Sequence, residues 1–224
     1  MQANNDDCSP FDRWTHQYDQ WFDKPPGNVL WQVELSCLRR IIEPVKLPRS
    51  EWLEVGVGTG RFASALGIQF GVDPSPEMLR YAAQRGIITQ VGRGEQLPYP
   101  AGRFDGILLA TTLCFLKDVA TTLAECHRVL RPGMPLCIGM IPAGGNWGRR
   151  YAEKGRQNHP FYRHARFLET TQLLGLAQTA SFRFEAACSL QQAAEMPGWS
   201  ASNTVSAIMP TADFVAVRFR AVKA

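Results

Sequence analysis

Residues 51–60 read Glu51-Trp52-Leu53-Glu54-Val55-Gly56-Val57-Gly58-Thr59-Gly60, followed by Arg61-Phe62-Ala63-Ser64-Ala65-Leu66. An apolar run ends in an acid, turns through glycine at every second position, and enters a segment of helical composition. Glycine permits a tight turn and lets a ligand reach the main chain without meeting a Cβ. The unpaired N–H groups that open the helix favour an anionic ligand group. The stretch therefore predicts a strand–turn–helix with a nucleotide-type ligand at the turn. The spacing narrows the ligand. A dinucleotide fingerprint, G-x-G-x-x-G counted from Gly56, requires glycine where Arg61 stands, and no Gly-Lys-Ser/Thr follows to make a P-loop.

The same grammar continues downstream. Ile68–Val72 is a short apolar run ending in Asp73, 17 residues after Gly56. Ser75 suits an N-cap, Pro76 the first helical position, and Glu77 the positive end of the helix dipole. An acid about 20 residues beyond such a loop accepts ribose hydroxyls in nucleotide-binding α/β folds. Strands are predicted near 51–55, 68–72, 87–91, 104–110 and 134–141, and helices near 29–42, 60–66, 76–85, 118–130 and 169–179. Strand-like runs follow at 182–187 and 212–220, and 189–211 is left unassigned. Asn28 is a candidate cap for the helix at 29–42. The alternation argues a doubly wound parallel sheet, with its ligand site at the carboxyl edge of the strands.

Glu54-x-Gly56-x-Gly58-x-Gly60 resembles the first motif of class I S-adenosylmethionine-dependent methyltransferases. Gly92-Arg93-Gly94-Glu95-Gln96-Leu97-Pro98-Tyr99 with Phe104-Asp105, and Arg128-Val129-Leu130-Arg131-Pro132-Gly133, resemble passages of the ubiquinone/menaquinone-biosynthesis type (methyltransferase type 11). The resemblance spans residues 51–142. It implies a Rossmann-like α/β fold, mostly parallel with the last strand antiparallel, and helices on both faces. It implies S-adenosylmethionine as cofactor and S-adenosylhomocysteine as product. By resemblance, the Gly56–Gly60 turn receives the methionine portion and Glu54 faces its ammonium. Asp73 takes the ribose, Pro74 or Met78 packs on adenine, and Leu97 covers the ring's edge. Arg93 stands where the family often has an acid for the adenine amino group. Arginine cannot accept a hydrogen bond, so Gly94 and Glu95 become the substitute. The last two strands are expected to form a hairpin.

On this reading residues 1–48 form an N-terminal helical cap, 49–142 the cofactor-binding core, and 143–224 an acceptor-side insertion and C-terminal strands of the same domain. Trp14, Tyr18 and Trp21 lie at i, i+4 and i+7, one helical face. That face is either a lid over the cofactor or a core stripe, with Tyr18 the best lid contact. Thr111, Thr112, His16, Tyr162 and His164 are acceptor-side candidates, and His164, of a residue type that titrates near neutrality, is a candidate base beside Tyr18. Residues 149–166 carry Arg149, Arg150, Lys154, Arg156, Arg163 and Arg166 among aromatic residues. This points to an anionic or aromatic small-molecule acceptor, unless the charges are a solvated face. Oligomeric state is open.

The chain has 224 residues, 45% of them hydrophobic, and a formal charge of +4, too small to imply nucleic acid by itself. No run approaches the roughly 18 apolar residues of a membrane span. The polar, acidic start is unlike a signal peptide, so a cytoplasmic protein is expected. Six scattered cysteines without C-x-x-C suit neither a metal site nor a disulfide framework. Cys114, just past the fourth strand, is the one near the expected acceptor. Two other functions stay open: a cofactor-binding regulator or scaffold without turnover, and an RNA methyltransferase using the basic segment.

Overall fold

The alternation from residue 51 onward forms one eight-stranded sheet in the computed structural model, which describes residues 9–191 and 204–222. Its strands are β1 (Trp52–Val55), β2 (Phe70–Asp73), β3 (Ile88–Val91), β4 (Gly106–Ala110), β5 (Pro135–Met140), β6 (Phe182–Leu190), β7 (Thr204–Val205) and β8 (Phe214–Ala221). The order is β3-β2-β1-β4-β5-β8-β6-β7. β1 pairs in parallel with β2 and β4, and β2–β3 and β4–β5 are also parallel. β8 inserts antiparallel between β5 and β6. The chain thus moves one way from β1 to β2 and β3, then crosses to β4. A crevice opens at the carboxyl ends beside β1, where such folds bind ligands.

Central strands buried on both faces must be apolar throughout. β4 and β5 are buried at every position, as is β1, which nonetheless carries Glu54. One core, with Leu38, Trp52, Leu108, Cys137 and Phe214, covers one face, and a second, with Leu53, Ile107, Leu123, Leu136 and Val217, covers the other. The helices that pack there are α3 (Gly27–Ile42), α4 (Arg61–Leu66), α5 (Pro76–Gln84), α6 (Val119–Val129) and α8 (Thr170–Thr179). α5 starts as its sequence requires, with Ser75 Oγ accepting from Met78 N–H at 3.1 Å. Among the described residues no helix is long and apolar enough to cross a membrane.

Several local expectations change. The aromatic N-terminal segment is broken at Trp14 into α1 (Pro10–Arg13) and α2 (Thr15–Trp21). Trp14 and Trp21 are 37% and 41% exposed, so they form neither lid nor core stripe. Asn28 lies inside α3 with its Oδ1 buried and unpartnered, and does not cap it. β6 and β8 pair antiparallel, yet they are no simple hairpin, because β7 lies between them in sequence and pairs with β6. Of the unassigned stretch 189–211, residues 192–203 lie outside the described residues. The basic segment forms α7 (Asn146–Arg156), followed by a helical turn at Tyr162–His164.

Candidate active site

A cavity of about 700 Å³ opens at the carboxyl edge of β1, β2 and β4, between the glycine turn, α1 and α2, and the end of the basic segment. Its floor is largely backbone. Gly56, Gly58 and Gly60 have φ of 72°, 52° and 81°, the left-handed region that glycine enters without strain. A Cβ on Gly58 would meet no protein atom within 4 Å, so it would project into open cavity. Gly56 and Gly60 do other work. A Cβ on Gly56 would come within 2.3 Å of Thr112 Cγ2, and one on Gly60 within 2.9 Å of Ala82 Cα. Gly60 does not line the cavity; its smallness lets α4 approach α5.

Asp73 ends β2 and turns its carboxylate toward that floor. Oδ2 accepts from Gly58 N–H and Oδ1 from Ser75 N–H, both at 2.9 Å. Burial pushes its pKa up to about 6, against the lowering effect of those two bonds. Pro74, Met78, Gly94, Glu95, Tyr18 and His164 also line the cavity. Glu95 Oε1 is already engaged by Lys117 N–H at 2.8 Å, fixing the entrance to α6. Leu97 sits in the core rather than at the cavity. Glu54 does not line the cavity either. It is 1% exposed and its Oε2 has no partner. Burial holds its carboxyl well above the usual carboxylate range, opposed by a hydrogen bond from Ala63 N–H.

The other acceptor-side candidates separate. Thr111 and Thr112 line the cavity. Thr111 has φ 53°, a strained conformation for a β-branched residue, found here at the mouth of β4. His16 is exposed and meets Tyr81 Oη at 3.2 Å, away from the cavity. Tyr162 stacks on Tyr151 behind the wall, ring centroids 4.6 Å apart. Burial raises the Cys114 thiol to about 12, which removes it as a thiolate nucleophile. Of the basic segment, Arg166 and His164 reach the cavity, with Phe161 between α1 and α2. Arg149 and Arg150 are exposed and do not; Arg149 bonds Gly144 O at 2.5 Å and Asn146 Oδ1 at 3.0 Å.

Three features were missed by sequence reasoning. Arg61 grips α2: its Nε donates to Asp19 Oδ1 at 2.9 Å and its Nη2 to Asp23 Oδ1 at 2.7 Å, while Arg85 Nη2 donates to Asp19 Oδ2 at 2.8 Å. Burial alone would raise the Asp19 pKa, but the bonds from Arg61 and Arg85 outweigh it and lower it. Asp12 lines the cavity and accepts from Ser75 Oγ at 2.5 Å, tying α1 to α5. These pairs join residues 38–66 positions apart, and no local pattern announces them. The third is Glu34, buried in α3. Its signal was legible: a carboxyl in the apolar stripe Trp31, Leu38, Ile41.

Residues 53–138 match the family model described as a methyltransferase domain. An uncharacterized protein of Mycobacterium tuberculosis is 38% identical over 201 residues, covering 89% of this chain and 70% of that one. The crystal structure of an S-adenosylmethionine-dependent methyltransferase from Thermotoga maritima, described as a "possible histamine N-methyltransferase", superposes with a TM-score of 0.79 at 30% identity, over 94% of this chain and 97% of that one. The chain belongs to the S-adenosylmethionine-dependent methyltransferases. The demethylmenaquinone methyltransferase of Geobacillus kaustophilus is similar over a smaller part, 34% identical across 38% of this methyltransferase and 43% of that one. The methyltransferase uses S-adenosylmethionine, and its residues fit that cofactor. The Gly58 turn offers open space, and the buried, unpartnered Glu54 Oε2 is an acceptor in need of a donor.

Proposed function

We propose that the protein transfers the methyl group of S-adenosylmethionine to a small-molecule acceptor by in-line displacement. One observation carries this reading. The cavity that holds the Gly58 turn and Asp73 is also walled by Phe11, Phe115, Phe161 and Thr111, so the cofactor cradle and an apolar acceptor space are continuous. Its volume falls in the range of small-ligand sites.

In this reading the Gly56–Gly60 turn cradles the methionine portion and Glu54 neutralises its ammonium. Asp73 accepts from the ribose hydroxyls. Pro74 and Met78 pack on adenine, Gly94 and Glu95 border it, and Tyr18 covers the reacting end. The cofactor supplies an already activated methyl group. What the chain adds is alignment and exclusion of water, which can contribute roughly 7–11 kcal/mol. Phe11 supplies much of that exclusion. Its ring centroid lies 5.0 Å from that of Phe115 and 5.3 Å from that of Phe161, closing the wall. His164 stands at the cavity as the candidate base for an acceptor that must lose a proton.

The test is a methyl-transfer screen across metabolite classes, read by release of S-adenosylhomocysteine, with calorimetric titration of the cofactor. Binding of S-adenosylhomocysteine with no transfer to any acceptor would favour a regulator or scaffold. Steeply salt-dependent RNA binding would favour an RNA acceptor.

A further inference from the structure

We propose that the acceptor is a small aromatic acid, its ring laid against Phe11, Phe115 and Phe161 and its carboxylate held by Arg166. This rests on the methyltransferase reading above and names the class of acceptor.

A chain of contacts leads from the cofactor turn to Arg166. Thr112 Oγ1 donates to Gly56 O at 3.3 Å, and the helical turn Leu113–Phe115 follows at once. Within that turn Cys114 O accepts from Arg166 N–H at 2.7 Å, which pins Arg166 beside Phe115. The same segment is held again two residues on, where Leu168 O accepts from Ala143 N–H at 2.9 Å. Phe11, Phe115, Phe161 and Arg166 all line the cavity. Phe11 packs against both other phenylalanine rings, and Tyr18 adds a fourth ring 5.6 Å from Phe161. The three phenylalanines are only half-buried, so their joint apolar face stays open. A flat aromatic ligand covers such a face through stacked or edge contacts.

The charged groups of the cavity divide by sign. Its carboxylates are engaged. Asp73 accepts from Gly58 and Ser75 N–H, Asp12 from Ser75 Oγ, and Glu95 from Lys117 and Asp118 N–H. Its cations are not. The side chains of Arg93, Lys117 and Arg166 make no hydrogen bond or ion pair among the described residues. A cationic acceptor would compete for carboxylates that already serve the protein, whereas an anionic one meets cations without partners. Arg93 adjoins Gly94 and Glu95, and Lys117 N–H bonds Glu95, so both belong with the segment bordering adenine. Arg166 is the cation pinned beside the rings. Its guanidinium is a planar fork of N–H donors that can grip a carboxylate through two parallel bonds.

The full chain, saturated with S-adenosylhomocysteine, is titrated by calorimetry with phenylacetate, phenethylamine and acetate. Phenethylamine keeps the ring and reverses the charge; acetate keeps the charge and lacks the ring. Phenylacetate should bind at least about 10-fold more tightly than either. Arg166→Gln should weaken phenylacetate about 10-fold with S-adenosylhomocysteine affinity unchanged, and Arg166→Lys should weaken it less, because lysine keeps the charge without the fork. Lys117→Gln should change phenylacetate binding by less than about twofold. The proposal is overturned if phenethylamine or acetate binds as well as phenylacetate, or if Arg166→Gln binds phenylacetate like wild type. It is overturned equally if Lys117→Gln loses as much as Arg166→Gln, or if phenylacetate fails to bind while S-adenosylhomocysteine does. The three-ligand comparison in the wild-type protein tests it even if a variant does not fold. Failure of the wild-type protein to bind S-adenosylhomocysteine at all would instead sink the methyltransferase reading, and this proposal with it.

Discussion

The floor and the wall of the cavity are built on different principles. The floor is made of main chain: glycines at positive φ, N–H groups, and one carboxylate, Asp73, satisfied by two of those N–H groups. The wall is made of side chains: Phe11 and Tyr18 from the N-terminus, Phe115 after β4 and Phe161 from the basic segment. A floor of backbone suits one constant ligand, because its geometry follows from the fold. A wall of side chains can be changed without disturbing the sheet, and on the proposed function it is the part that sets the acceptor. Asp73 and Glu34 mark the contrast. Both are buried carboxyls, yet Asp73 accepts two hydrogen bonds and Glu34 makes none among the described residues.

The comparison breaks most sharply at Gly58. Gly58→Val puts a branched side chain into the open cavity, at a φ that valine tolerates poorly. S-adenosylhomocysteine binding should fall by at least about 100-fold, roughly 2.7 kcal/mol or more, in a protein whose circular dichroism is unchanged. Wild-type affinity in that folded variant would reduce the floor to an ordinary turn.

Next in size is the stability stored in Glu34. With its folded pKa near 8 and an unfolded value near the ordinary 4.5, the folded state prefers the protonated carboxyl. Stability from this group is therefore complete below the unfolded value and lost as pH rises toward 8. Its neighbours Tyr18, Tyr151, Tyr162 and Cys37 are all shifted upward and do not titrate in that window. Glu34→Met should be more stable than wild type at pH 8 by on the order of a few kcal/mol, with the gap closing near pH 5. Thermal melts across pH that show no widening gap would mean Glu34 is satisfied in the free protein.

Asp73→Ala should weaken cofactor binding by roughly 1.5–3 kcal/mol through loss of charged hydrogen bonds. In wild type the affinity should decline as pH is lowered through about 6, where Asp73 becomes protonated. An affinity flat across that range, in wild type and variant alike, would take Asp73 out of ribose recognition. Asp19→Ala removes the acceptor shared by Arg61 and Arg85, and should cost roughly 1–2 kcal/mol of stability and loosen α2. Increased hydrogen exchange confined to residues 15–22 is the expected signature; uniform exchange would show that the ion pairs do not fasten the wall. Charge reversal at Arg149 and Arg150, both exposed, should change acceptor KM by less than about twofold. A large rise would restore the basic segment as an anion attractor.

The floor was readable from the sequence almost residue by residue. Gly56, Gly58, Asp73 and Ser75 do local work, and local work leaves a local pattern: glycine where φ is positive, an acid at a strand's end, a hydroxyl at a cap. Gly60 was recognised as a glycine the turn needs, and its packing role came only from the structure, because setting α4 against α5 and cradling a ligand require the same missing Cβ. The wall was harder to read. Tyr18 was found by helical spacing, although Trp14 and Trp21 on the same predicted face proved exposed once the helix broke at Trp14. The charge of the basic segment suggested an anion, yet a charge run carries no information about which side chains point inward.

The sequence by itself determined the methyltransferase fold, the cofactor and the glycine turn at the carboxyl edge, because glycine turns, caps and apolar strands are dictated within a few residues of themselves. Only the tertiary structure decided what closes over the cradle. Asp19 meets Arg61 and Arg85, Asp12 meets Ser75, and Glu34 is buried in α3 through contacts between chain segments far apart, and such contacts exist only once the sheet and its helices have packed.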